Sequence, residues 1–191
     1  MPSMSGAESK AAGFNSTVSM LREMCTPEQL AAVLSALPPE TADLVRTPPL
    51  PVTWIPNRHV RILQSTAVRV AFDGNVRKMV DLSRRARLAD LGTIYRYFVR
   101  LASAQFAIER AAKMYTTYTR NNGSLTVTAT GKRFAELTFK DISEPSPAAW
   151  AYYEGAIQAV VEMTGLKTAS VLTVRGGGRE PDCVFRVTWN E

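Results

Sequence analysis

Apolar residues recur every three or four positions through the first two thirds of the chain and every second position through the last third. The first period is that of a helix with one buried face, the second that of a half-buried strand. Thr26, Pro27 and Glu28 form a helix-start signal ahead of Leu30, Val33, Leu34 and Leu37, and Pro38-Pro39 stop the run. "TPPLPVTWIP", between Arg46 and Asn57, reads as an extended connector. Pro56 then opens a helix to about Phe72, with Val60, Leu63, Ala67 and Val70 on its apolar face and Arg58, Arg61, Ser65 and Arg69 on another. From Asn75 to Ala102 a long helical pattern is interrupted near Gly92. Met79, Leu82, Ala86 and Ala89 line its first half, and Ile94, Phe98 and Leu101 its second. A further helix over 104–118 is expected to turn Ala107, Ala111, Met114 and Tyr118 inward.

At "RNNGSLTV" the period changes. Leu125, Val127 and Ala129 alternate with threonines, "TGKR" turns the chain, and Ala135, Leu137 and Phe139 alternate with polar residues, which predicts a β-hairpin with one buried face. "EPSPAAW" leads into a helix to about Thr164 with Trp150, Tyr153, Ile157 and Val160 as its stripe, and Gly165 ends it. Ser170, Leu172 and Val174, a glycine turn, and Cys183, Phe185, Val187 and Trp189 predict a second hairpin. The expected fold is α+β: an N-terminal helical half packed on a small antiparallel sheet of about four strands, built from two hairpins joined by a helix. Residues 1–15 are expected to be a mobile tail. Residues 16–191 form one domain, with 16–120 as the helical half and 121–191 as the hairpin-helix-hairpin half.

Composition changes this picture little. The 191 residues are 46% hydrophobic and 21% charged, an ordinary globular balance. No apolar run approaches the roughly 20 residues of a membrane span, and no secretory signal is apparent, so a cytoplasmic protein with free thiols is expected. Charge changes it more. The formal net charge is +6, and between Arg58 and Lys113 there are 12 Lys/Arg against 4 Asp/Glu. Arg77, Arg84, Arg85 and Arg87 cluster there, as do Arg96 and Arg100, and they are candidates to bind an anion or an acidic partner. Asp81 lies four residues from both Arg77 and Arg85 and offsets part of that patch. No helix-turn-helix spacing or RNA-binding aromatic motif accompanies it, so nucleic-acid binding is the alternative reading and not the first.

Candidate chemistry is sparse. "RGGGREPDCVFRVTWNE" places three glycines between strands, whereas a phosphate-cradling loop runs from a strand into a helix. Cys183 shares its buried face with three large side chains and has no neighbouring cysteine; the other, Cys25, is at the far end of the chain. The chain has 1 histidine, His59, so neither a zinc ligand set nor a Ser-His-Asp triad can be assembled with ordinary redundancy. No metal, cofactor or catalytic residue is assigned, and the protein is expected not to be an enzyme.

The stretches "LSALPPE", "PVTWIP", "TIYRYFVRLAS", "NNGSLTV" and "PDCVFRVTW" resemble a paralogous myxobacterial family of unassigned function, from about residue 14 to the end. That family is similar to a wider group containing the heme nitric-oxide-binding domains, the 4-vinyl-reductase-like ligand domains and the TRAPP trafficking subunits. The resemblance implies a sensor or adaptor domain, often dimeric, with an apolar pocket between helices and sheet. A heme-binding member needs an axial ligand, and His59 near the start of its helix does not match the pattern. The second cysteine often present in the ligand-domain hairpin is absent here. The function expected is a non-catalytic signalling or scaffold domain, forming a homodimer and binding an unidentified protein partner or a small apolar molecule. Candidate lining residues are Tyr115, Leu137, Phe139, Tyr152, Cys183 and Phe185. An enzyme with an unrecognised pocket is the remaining alternative.

Overall fold

Thr26 caps its helix as its spacing predicts: its hydroxyl accepts from Gln29 N, and Gln29 Oε1 accepts from Thr26 N at 2.9 Å, opening α2 (Pro27–Ala36). The computed structural model describes residues 6–90, 103–165 and 169–190. Pro38 ends α2, but Pro39 starts another helix, α3 (Pro39–Arg46), because a first helical position needs no N–H. The expected tail is not a tail beyond residue 7. Glu8–Lys10 form a strand, β1, and Ala11–Met24 a helix, α1, with Phe14, Val18 and Leu21 buried. β1 is held by distant partners, β2 (Trp54–Pro56) on one side and β3 (Thr119–Arg120) on the other. A three-residue strand carries no local signal of such pairing. α4 (Asn57–Val70) and α5 (Val76–Asp90) complete the described helical half. Phe14, Leu21, Leu63, Met79 and Leu82 sit at the centre of its core.

The other half begins with α6 (Ala104–Tyr118), capped by Ser103. Its inward face is Ala104, Ile108, Ala112 and Tyr115, and Tyr118, expected inside, is 43% exposed. β4 (Ser124–Gly131) and β5 (Phe134–Lys140) form the first hairpin, and β6 (Ala169–Arg175) and β7 (Cys183–Trp189) the second. The four strands lie in the order β4-β5-β7-β6, all antiparallel. Gly176 and Gly177 open the last turn with φ of 79° and 96°, the left-handed backbone that glycine adopts without strain. Opposite residues share a face of the sheet, so Ala135 with Val187, Leu137 with Phe185 and Phe139 with Cys183 build the inner surface. The same rule corrects β6. Val171 pairs Val187 and is buried, whereas Leu172 pairs Arg186 and is 61% exposed, as is Val174 at 47%.

α7 (Pro147–Met163), capped by Ser146, joins the hairpins and divides the interior. Ala148, Ala151 and Tyr152 face the helical core, while Trp150, Ile157 and Val161 face the core behind the sheet. A helix apolar on nearly all sides is stable only when surrounded. α5 lies so close that a Cβ on Gly155 would stand 2.1 Å from Val80 O. The fold is α+β, as the periodicities imply. Among the described residues no helix is long and apolar enough to cross a membrane.

Candidate functional site at the seam between two cores

α4 carries polar residues where a core helix would carry apolar ones. Asn57, His59, Arg61 and Gln64 are all buried, Arg61 at 6% exposure and Gln64 at 0%. Arg61, expected on one face with Arg58, Ser65 and Arg69, is buried while those three are exposed. The missed signal is a polar stripe, Asn57, Arg61 and Gln64, at helical spacing. That stripe faces α7 and the sheet half, along the seam where the two cores meet.

A continuous chain of hydrogen bonds follows the seam. Arg61 Nη1 donates to Gln64 Oε1 at 3.1 Å, and Nη2 to the Tyr153 hydroxyl at 2.7 Å. The Tyr153 and Tyr115 hydroxyls lie 3.4 Å apart, and Tyr115 donates to the Asn122 carbonyl at 2.7 Å. Asn122 Oδ1 accepts from both N and Oγ of Ser143, whose hydroxyl accepts from Asn57 Nδ2. The chain thus leaves α4 at Arg61 and returns to it at Asn57. Burial, with Tyr153 beside it, drives the pKa of the Tyr115 phenol upward, which keeps it a neutral donor.

This network is rich in donors and short of acceptors. Arg61 Nε, Gln64 Nε2, Asn122 Nδ2 and Trp150 Nε1 are buried without a hydrogen-bond partner among the described residues. Arg61 makes no ion pair among the described residues. Its guanidinium instead lies 5.0 Å from the centre of the Tyr153 ring. A buried cation is ordinarily paired, since leaving water without compensation costs several kcal/mol.

The aromatic side of the seam is filled. Phe139 stands at its centre, 4.6 Å from Tyr153 and 5.8 Å from each of Tyr115, Trp150 and Phe185 between ring centres. Of the six expected lining residues, Tyr115, Leu137, Phe139, Cys183 and Phe185 come together in this core. Tyr152 does not: it lies on the opposite side of α7, where its hydroxyl accepts from Arg87. Burial, reinforced by Glu180 and Glu154, pushes the Cys183 thiol up to about 12. At neutral pH it is a thiol and not a nucleophile.

The arginines of α5 are engaged. Arg77 pairs with Glu154 at 2.6 Å and Arg84 with Glu162 at 2.9 Å, clamping α5 to α7. Arg85 pairs with Asp81, as their spacing allows, and Arg87 with Asp90. Arg96 and Arg100 lie outside the described residues. Among the described residues no cluster of His, Cys, Asp and Glu could hold a metal ion.

The fold is similar to that of H-NOX proteins. The Fe(II) unliganded H-NOX protein from K. algicida aligns with a TM-score of 0.62 at 12% identity, covering 95% of this chain and 97% of that one. An oxygen-binding H-NOX domain related to soluble guanylate cyclases aligns with a TM-score of 0.64 at 13% identity, covering 95% of each chain. A structure concerned with the mechanism of H-NOX activation gives 0.64 and 13%, with 95% and 97% covered. No curated protein matches the chain.

A heme would need an axial ligand and a slot between helices and sheet. His59 is buried on α4, where its Nδ1 is 2.8 Å from the Thr41 hydroxyl. Burial and the charge of Arg58 lower its pKa. The Cys183 thiol is held protonated, and the space behind the sheet is occupied by the rings around Phe139. The described residues do not fit a heme, although the fold is that of proteins studied for heme distortion. Residues 89–190, more than half of the chain, match the family described as "Protein of unknown function (DUF2378)", and the chain belongs to that family.

Proposed function

We propose that this protein is a non-catalytic, ligand-responsive signalling domain that reads a small molecule at the seam between its two cores and presents the result to a protein partner. The observation that carries this reading is the buried seam itself, whose donors lack acceptors among the described residues between the two cores. A catalytic domain would be expected to aim titratable groups into a cleft. Here the buried thiol and phenol are held neutral, and the only imidazole is tied to Thr41. The H-NOX-like fold supports the reading at the level of architecture. The ligand expected from sequence was apolar. The filled aromatic core favours one that carries hydrogen-bond acceptors. Nucleic-acid binding is disfavoured because Arg77, Arg84, Arg85 and Arg87 spend their charge on carboxylates. A homodimer remains part of the proposal, with the exposed Leu172 and Val174 on edge strand β6 as an apolar surface it could use.

Native mass spectrometry of the purified protein, followed by denaturing extraction, tests this. A stoichiometric small molecule whose removal speeds hydrogen exchange in α4 and α7 is expected. A protein that carries none, and whose exchange is unmoved by any added small molecule, would count against the reading.

A further inference from the structure

We propose that the Arg61 end of the seam is a binding site for a small organic monocarboxylate. This rests on the ligand-responsive reading above and adds the chemical class. Among the described residues three unpartnered donors gather near Tyr153, two beside its ring and the third through Arg61. Arg61 stacks over Tyr153, Gln64 is bonded to Arg61, and Trp150 lies 5.9 Å from Tyr153 between ring centres. Arg61 Nε, Gln64 Nε2 and Trp150 Nε1 are the free atoms, all buried, and all can only donate. A site made of donors selects an acceptor.

Charge narrows the class. One buried cation with no carboxylate partner among the described residues balances one negative charge, so a monoanion leaves the site neutral and a dianionic phosphate does not. Shape narrows it further. A carboxylate presents two oxygens in the plane that a guanidinium edge recognises. The Tyr153 and Trp150 rings beside the donors are the neighbours an apolar or aromatic body behind the carboxylate would pack on.

Isothermal titration and thermal melts with sodium benzoate, sodium acetate, inorganic phosphate and sodium chloride at matched ionic strength test the proposal. Benzoate is expected to bind one per chain, more tightly than acetate, with phosphate and chloride inert. At a concentration 100-fold above Kd, Tm should rise by roughly 5–10 °C. Arg61→Met should abolish the rise, with removal of the buried charge offsetting the loss of its bonds to Gln64 and Tyr153 in the unliganded protein. Gln64→Leu keeps the charge and should weaken binding roughly tenfold. It also serves if Arg61→Met does not fold. No saturable response to either carboxylate, an equal response to chloride, or an unchanged response in both variants would overturn the site. If a neutral molecule is nevertheless found by extraction, the ligand-responsive reading stands and only the carboxylate assignment fails.

Discussion

Gly155→Ala should destabilise this protein although alanine is the better helix former. The added methyl would stand 2.1 Å from Val80 O, 3.0 Å from Arg84 N and 3.0 Å from Ser83 Cβ. Two of these are backbone atoms of α5 and cannot rotate aside, so the helices must separate. Overpacking of this kind costs about 3 kcal/mol at its upper range. Separation also stretches the 2.7 Å bond from Ser83 Oγ to Tyr152 O, worth about 1 kcal/mol. Against these stands a helix-propensity gain of about 1 kcal/mol. The net loss is about 3 kcal/mol, or roughly 6–12 °C in Tm for a domain of this size. Urea unfolding followed by far-UV circular dichroism measures it. Ala156→Gly on the same helix is the control and should lose only about 1 kcal/mol through propensity. A Gly155→Ala protein as stable as wild type would refute the close approach of α5 and α7, and with it the role of that pair in joining the two cores.

Cys183 should resist a thiol reagent in the native state while the half-buried Cys25 reacts; Cys183→Ala should cost about 1 kcal/mol, whereas Cys183→Asp should prevent folding. The folded pKa of His59 is depressed below its ordinary 6.5, so its contribution to stability is complete above that value and is lost as pH falls through the folded pKa. The urea midpoint should therefore drop between pH 7.5 and 5.5 by more in wild type than in His59→Gln, and equal drops would argue against it. A double-mutant cycle on Arg84→Gln and Glu162→Gln should give a coupling of about 0.5–1 kcal/mol, reduced by salt, since both groups are partly exposed. Added hemin should not produce a stoichiometric Soret band, and a band lost in His59→Ala would contradict the fit argued for the seam.

The elements with one clean face were legible in the sequence. Leu137 and Phe139, Cys183, Phe185 and Val187, and the capping signal at Thr26 all lie where period and spacing put them. The failures have a common physical origin in burial decided by distant partners. β6 offers Leu172 and Val174 as an apolar alternation, yet its hydrogen-bond register with β7 sends Val171 inward instead. β1 exists only because β2 and β3, far along the chain, flank it. On α6, Tyr118, expected inside, is 43% exposed, while Tyr115 turns in to donate to the Asn122 carbonyl. The candidate site was the least legible part for the same reason. An arginine among valines and leucines on α4 reads as a solvated residue, and in a protein with one core it would be. Here α7 is apolar on both sides, so it gathers two cores, and α4 is covered on its polar side too. Polar residues such as Asn57, Arg61 and Gln64 are tolerated inside only where they can bond to each other and to the phenols of the facing helices. The network is therefore a consequence of the two-core architecture, and the donors it leaves over are the ones we propose a ligand's acceptors would meet.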